Sequence, residues 1–365
     1  MKLFLFRVQK KQGNSMLEIH KQFMWKNNLS LKSFEAVKMN SWLLRALAVM
    51  VVFCCRDALS CPKRCTCHFS AKTTEVVCPD AGLSHFPGDG LPGNTTSLTI
   101  QFTNMSVLTS QHLTAIPLLE ELHLPGNKLS SLPADLLRGL HYLHTIDLTD
   151  NELRELPAYV FHHAPLLNLV LKDNRISSIH PDWLPNNSNI TWLDLSGNHL
   201  VKFPIPQLQS LSQLKVLHLS QNKLEELPVG CLDAQPALER LNLDQNKIQS
   251  LDVKAFSRSG NLTHIFLQKN RLEIVPPAVF QGLKHLEYID LSDNKLQFLS
   301  PGTLDINTSW VELTFNPWHC DAKIEYLWRK LAVESLQSEP KCTAPENLKD
   351  RVIATLTRKE MGLPE

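Results

Sequence analysis

The chain has 365 residues, of which 43% are hydrophobic, and its formal net charge is +1. This composition excludes a mainly disordered polymer and allows one long core or two ordinary domains. The first 38 residues carry eight lysines or arginines against two glutamates, a net +6, so the rest of the chain carries −5. Since no basic stripe is evident along this acidic remainder, we expect no binding to nucleic acid.

Residues 39–60 have the pattern of a secretory signal peptide. An arginine precedes an apolar run at 46–55, and small residues follow before Cys61. The run is about ten residues long, which is shorter than the roughly twenty needed to cross a bilayer. We therefore expect a secreted, extracellular protein with no stable membrane anchor, with Met39 as its start and residues 1–38 as an upstream extension. An uncleaved segment that anchors the chain is the alternative.

The cysteines are consistent with export. Four lie close together and two lie far downstream: Cys61, Cys65, Cys67, Cys78, Cys320 and Cys342. Six cysteines can form three disulfides in an oxidising compartment, whereas the tight spacing of the first four is unfavourable for the alternative, a zinc site. Cys231 stands alone, and we interpret it as a small semi-buried apolar residue, with intermolecular pairing as the alternative.

A twelve-residue pattern recurs eight times, from LHLPGNKLSSLP at Leu122 to IDLSDNKLQFLS at Ile289. Its asparagines are 23 or 24 residues apart: Asn127, Asn151, Asn174, Asn198, Asn222, Asn246, Asn270 and Asn294. The pattern resembles L-x-x-L-x-L-x-x-N-x-L of the leucine-rich-repeat superfamily. It predicts an α/β solenoid: a leucine-rich-repeat horseshoe with a parallel concave sheet over residues 94–315.

The pattern has a physical cause. Two apolar residues separated by one position point to the same face of a strand, and each asparagine amide can pair with backbone groups at the turn that follows. One repeat cannot bury its own leucines, so stability accumulates between neighbouring repeats. Asn104 resembles an irregular first copy and Asn316 a last one.

Both ends of the array differ from the repeats. We expect a cysteine-rich N-terminal cap at 61–93 and a C-terminal cap at 316–365, both stapled by disulfides. The apolar spacing of Ile324, Leu327 and Leu331 predicts an amphipathic helix in the second cap.

The segment FNPWHCDAKIEYLWRKLA, followed by KCTAPENLKD, resembles the C-terminal cap of secreted members of this superfamily. Ala322 replaces one cysteine of the usual C-x-C pair, so the cap resembles a reduced form that leaves Cys320 and Cys342. For the N-terminal cap, the sequence alone allows three disulfide connectivities. Resemblance to repeat N-caps implies Cys61 with Cys67 and Cys65 with Cys78.

The resemblance also implies a circulating glycoprotein that binds proteins and needs no cofactor. It implies a link to ligands or receptors of the transforming growth factor β pathway and to vessel growth, and binding of cytochrome c. Two other kinds of protein remain open: an extracellular-matrix protein that binds collagen, and a non-catalytic subunit of a secreted enzyme. We find no catalytic motif and expect that the chain is not an enzyme.

Residues between the leucines of each strand point out of the concave face. Aromatic side chains and an arginine, which dominate many protein interfaces, gather toward the later repeats. The candidate ligand face comprises Trp192, Arg240, His264, Phe266 and Tyr288. The alternative is a scattered set of exposed aromatic residues that binds nothing.

Six sequons after the signal segment predict N-glycosylation: Asn94, Asn104, Asn186, Asn189, Asn261 and Asn307. Asn186 and Asn189 are close enough to compete for a glycan. Asn104 cannot both complete a buried turn and carry a glycan, and its irregular spacing favours the glycan.

Overall fold

The computed structural model describes residues 61–79, 81–306, 308, 310–334 and 336–364. The predicted extension, the predicted signal peptide and the sequon asparagine Asn307 lie outside the described residues.

Most strands of the protein are two or three residues long. In chain order they are β1 Thr66–Phe69, β2 Thr74–Cys78, β3 Ser97–Ile100, β4 Glu121–His123, β5 Thr145–Asp147, β6 Glu155–Leu156, β7 Asn168–Val170, β8 Ser178–Ile179, β9 Trp192–Asp194, β10 Val216–His218, β11 Glu226–Leu227, β12 Arg240–Asn242, β13 Ser250–Leu251, β14 His264–Phe266, β15 Tyr288–Asp290, β16 Trp310–Glu312, β17 Trp318–His319 and β18 Cys342–Ala344. Helices are few and short: α1 Ser110–Leu113, α2 Ile205–Leu208 and α3 Glu325–Ala332, with 3-10 turns at Pro181–Trp183, Ala322–Ile324, Glu346–Leu348 and Ile353–Thr355.

Twelve of these strands form one sheet, in the order β1-β2-β3-β4-β5-β7-β9-β10-β12-β14-β15-β16. β1 and β2 form an antiparallel hairpin, and each later strand pairs in parallel with the one before it. The predicted leucine-rich-repeat solenoid with a parallel sheet is therefore confirmed. Two small two-stranded sheets, β6 with β8 and β11 with β13, lie on the opposite, convex side.

The central residue of each repeat strand points into the core. Leu193, Leu217, Leu241 and Ile265 pair in direct register and are fully buried, at 0% exposure. Each apolar side chain is therefore covered by the repeats before and after it, and the core runs continuously along the stack.

The repeated asparagines form a buried hydrogen-bonded ladder. The amide nitrogen of Asn222 donates to the carbonyls of Leu195, Leu219 and Ser220 at 2.9, 3.2 and 3.2 Å. Its side-chain oxygen accepts from the backbone N–H of Leu200 at 3.0 Å. One side chain thus bonds polar groups in its own repeat and in the preceding one, and it accepts from the buried N–H of Leu200, for which burial without a partner would be costly. Asn316, the last copy, makes the same contacts with Leu291 and Leu296.

The first copy departs from this pattern. Thr103, not Asn104, occupies the ladder position: its hydroxyl donates to the side-chain oxygen of Asn127 and accepts from the N–H of Met105. Asn104 is exposed and its amide donates to the carbonyl of Ala81 at 2.9 Å. The irregular spacing noted in the sequence is explained, since threonine replaces the asparagine one position earlier.

The residue before each ladder position has a left-handed backbone conformation. Glycine fills it at Gly126 and Gly197, where a Cβ would lie 2.4 Å from the Phe102 ring and 2.0 Å from an Asp173 carboxylate oxygen. In these two repeats glycine allows the side chain of the preceding repeat to lie across the turn.

The two ends of the solenoid contain their own, separate disulfides. The bonds are Cys61–Cys67, Cys65–Cys78 and Cys320–Cys342. In the C-terminal cap, α3 buries Leu327 and Leu331, and the fully buried Trp318 donates its indole N–H to the carbonyl of Leu313 at 3.0 Å. The last repeat is therefore covered by the cap and does not expose its leucines.

Candidate binding surface

Two rows of side chains cover the concave face of the large sheet. They flank the buried strand residue on either side. The first row comprises Glu121, Thr145, Asn168, Trp192, Val216, Arg240, His264, Tyr288 and Trp310, and the second His123, Asp147, Val170, Asp194, His218, Asn242, Phe266, Asp290 and Glu312. Because the strands are in register, side chains 22 to 24 residues apart in sequence stand next to one another.

Several carboxylates of the second row are committed to the fold. Asp194 accepts both the backbone N–H of Ser196 at 2.8 Å and its hydroxyl proton at 2.5 Å. Asp147 and Asp290 make the same pair of bonds with the residue two positions on. These acids hold the chain where it turns off the strand, so they offer less to a ligand than their position on the face suggests.

The first repeats present a polar surface centred on a histidine. His123 lies 3.7 Å from a carboxylate oxygen of Glu121 and 4.0 Å from one of Asp147. The nearby carboxylate of Asp147 raises the pKa of His123, against an opposing effect of burial. Burial also works against ionisation of Asp147, yet the nearby His123 ring and the hydrogen bonds from Thr149 bring the pKa of Asp147 below the ordinary value.

The later repeats bring the predicted aromatic residues and arginine into contact. The guanidinium carbon of Arg240 lies 4.4 Å from the centroid of the Phe266 ring, and Nε of Arg240 donates to the side chain of Asn242 at 3.1 Å. The Phe266 and Tyr288 rings are 5.3 Å apart, and the His264 ring lies 6.3 and 6.2 Å from them. Four of the five predicted residues thus form one continuous cluster.

Trp192, the fifth predicted residue, is 40% exposed and joins this cluster through a residue outside the predicted set. Its ring centroid is 5.1 Å from that of His218, which lies next to Asn242 in the register. Burial lowers the pKa of His218, and its Nε2 is buried without a hydrogen-bond partner among the described residues. His218 therefore adds to the surface a neutral ring that contacts Trp192.

Trp310 extends the surface at its other end and was also missed. It pairs in register with Tyr288 and is 43% exposed. The sequence signal was weak because its repeat is 22 residues from the preceding one and Trp318 stands two positions after Asn316, where the other copies have leucine or isoleucine. We call the complete set the aromatic strip: Trp192, His218, Arg240, His264, Phe266, Tyr288 and Trp310.

Tyr288 keeps its hydroxyl proton at all physiological pH values. Burial, together with the carboxylates of Asp290 and Glu312, raises its pKa to about 12, and its hydroxyl donates to Asp290 at 3.4 Å. The strip therefore presents one permanent positive charge, on Arg240.

Most of the sequon asparagines are accessible. Asn104, Asn186, Asn189 and Asn261 are exposed, whereas Asn94 is half-buried and donates its amide to the hydroxyl of Thr74 at 2.9 Å. Every one of these five lies outside the two rows of the concave face.

Cys231, the lone cysteine noted in the sequence, lies in the core. Cys231 is 2% exposed, and burial raises its pKa to about 12. The described residues contain no group of three potential metal ligands. Within that part of the chain, no helix has the length and apolar character needed to cross a membrane.

A capped stack of parallel strands whose open concave face carries polar and aromatic side chains is typical of solenoid proteins that bind other proteins. The leucine-rich repeat family matches seven overlapping segments, 117–169, 141–200, 165–224, 200–248, 212–272, 236–296 and 260–314, which together span more than half of the chain. The chain belongs to the leucine-rich repeat family.

Among relatives, a 65-residue segment is 42% identical to phospholipase A2 inhibitor beta of Elaphe climacophora and covers 18% of this chain and 19% of that protein. The chain thus aligns with about a fifth of that relative's length.

Two solved structures share the fold. One is in the octameric complex of Latrophilin 3, Unc5D and FLRT2 (LRR), with a TM-score of 0.60 and 24% identity over 78% of this chain and 81% of that one. The other is human 5T4 (Wnt-activated inhibitory factor 1, Trophoblast glycoprotein), with a TM-score of 0.55 and 24% identity over 83% and 98%.

Proposed function

We propose that the chain is a secreted plasma glycoprotein that binds other proteins through the aromatic strip. Its reduced C-terminal cap resembles that of leucine-rich alpha-2-glycoprotein. By that resemblance, the partners are ligands or receptors of the transforming growth factor β pathway, so that binding modulates signalling and vessel growth, and cytochrome c is a further partner.

One observation supports the binding proposal: seven ring-bearing or guanidinium side chains lie on neighbouring strands of one sheet face. Aromatic and arginine side chains supply large contact areas at low cost in conformational entropy. Arg240 is already oriented by Phe266 and Asn242, so little freedom is lost when a partner docks.

The test is affinity purification from plasma with the immobilised glycosylated protein, followed by mass spectrometry. The proposal expects enrichment of transforming growth factor β ligands or their receptors over a column carrying the double variant Phe266→Ala, Tyr288→Ala. Equal recovery of every protein on both columns would contradict it. The same preparation reports the mature N-terminus and the occupied sequons.

A second candidate is a non-catalytic protein that binds a secreted enzyme. The similarity to a phospholipase A2 inhibitor supports it. A co-purifying hydrolase whose activity falls on addition of the chain would favour this function. Retention on collagen would instead favour an extracellular-matrix protein that binds collagen. No feature of the aromatic strip supports that alternative.

A further inference from the structure

A second surface lies where the chain leaves the strands of the large sheet. The residue after each ladder asparagine is basic in six of eight repeats: Lys128, Arg175, Lys223, Lys247, Arg271 and Lys295, with Glu152 and His199 as the exceptions. Each of the eight donates its backbone N–H to a carbonyl of the preceding repeat at 2.8 to 2.9 Å. The side chains therefore stand in a column, one repeat apart, or about 5 Å.

Neighbouring acids pair with two of the six basic side chains. Arg175 pairs with Glu152 at 3.3 Å, and Lys295 lies 4.0 Å from Glu273. Between them, Lys223, Lys247 and Arg271 make no ion pair with any described residue.

The glycosylation pattern leaves this edge of the sheet open. Asn94, Asn189 and Asn261 each lie four residues before the buried strand residue, and Asn307 has the same spacing in sequence. Since the repeat strands are parallel, all positions that precede them line one edge of the sheet and all positions that follow them line the other. Asn94, Asn189 and Asn261 therefore fall on one edge and the basic side chains on the opposite edge, where Asn104, at its N-terminal end, is the one sequon asparagine among the described residues.

We propose that Lys223, Lys247 and Arg271, here called the basic column, bind a linear sulfated polysaccharide. Cations at a regular spacing on flexible stems can follow sulfate groups along an extended chain, and they are not committed to partners within the protein. Binding of single-stranded nucleic acid commonly uses aromatic rings on which bases stack, and the aromatic strip lies on the concave face, apart from these three residues. The column is distinct from the aromatic strip, so either site can be lost without the other.

The test measures the affinity of the glycosylated protein for a size-defined heparin oligosaccharide over a range of salt concentrations. The variant Lys223→Glu, Lys247→Glu, Arg271→Glu is compared with Arg138→Glu, Lys254→Glu, Lys284→Glu, which changes the net charge equally at exposed, unpaired positions outside the column. We expect the first variant to lose about tenfold or more in affinity and to show a shallower salt dependence, with a change below about twofold in the second.

Three results would overturn the proposal: no measurable binding of heparin by the unaltered protein, an equal loss in both variants, or equally tight binding of a single-stranded oligonucleotide. Hyaluronan, which carries carboxylates and no sulfates, should bind more weakly than heparin, and equal affinity would contradict the assignment to sulfate. Unchanged melting temperatures establish that both variants are folded.

Discussion

The guanidinium carbon of Arg240 lies over the Phe266 ring, 4.4 Å from its centroid. We therefore expect Arg240 to act as a planar group as well as a charge. Arg240→Ala should weaken partner binding by about tenfold or more, and Arg240→Lys should restore only part of the loss, because lysine keeps the charge but not the stacked fork of donors. Surface plasmon resonance with the purified partner measures both. Full recovery by lysine would show that charge alone matters.

The asparagine ladder should contribute directly to stability. Asn222→Ala removes four hydrogen bonds and leaves the buried backbone N–H of Leu200 without its acceptor. We expect a loss of about 1–3 kcal/mol in the free energy of unfolding, measured by urea denaturation. Asn187→Ala, at an exposed position outside the ladder, is the matched control and should change stability little. An equal effect of the two substitutions is the contrary outcome.

His123 should make stability depend on pH. Its folded-state pKa is raised above the ordinary value of 6.5, so its stabilising effect is fully present below that value and is lost as pH rises through the raised pKa. His123→Gln should therefore reduce the urea midpoint at mildly acidic pH and have a smaller effect at alkaline pH. His199→Gln, at an exposed position in the repeats, serves as the control. A His123→Gln effect that is constant across pH would contradict the interaction with Asp147.

Cys231 should be chemically inert in the folded protein. Its thiol is buried and its pKa is raised to about 12, so the reactive thiolate is nearly absent at neutral pH. Alkylation by iodoacetamide, followed by peptide mass spectrometry, should leave Cys231 unmodified in buffer and modify it in concentrated guanidinium chloride. Rapid labelling of the native protein would mean that this position opens to solvent.

The repeat fold could be predicted because its cause is local and periodic. The spacing of Leu193 and Leu217 along the sequence indicates directly that they lie on the same face of the sheet. Asn198 and Asn222 mark the turn that follows each strand. The irregular spacing of Asn104 favoured a glycan over a place in the ladder, but only the structure shows that the Thr103 hydroxyl fills that place, since no motif records the exchange of asparagine for threonine.

The aromatic strip was only partly predictable. Trp192, Arg240 and Tyr288 stood out as residue types, but the role of His218 depends on a ring contact between neighbouring strands. The basic column was hidden for the same reason, since residues 23 or 24 positions apart become neighbours only after the repeats stack. The hydrogen bond between Asp194 and the turn that follows its strand could likewise be recognised only from the side-chain geometry.

The most direct test of the central claim is the affinity of the captured partner for the double variant Phe266→Ala, Tyr288→Ala. Its control is Tyr142→Ala, Tyr159→Ala, which removes two exposed aromatic side chains outside the concave face. If the aromatic strip is the binding surface, the first variant loses at least about tenfold in affinity with its fold intact, and the control binds like the unaltered protein. Unchanged binding by the first variant, or equal loss in both, would contradict the claim.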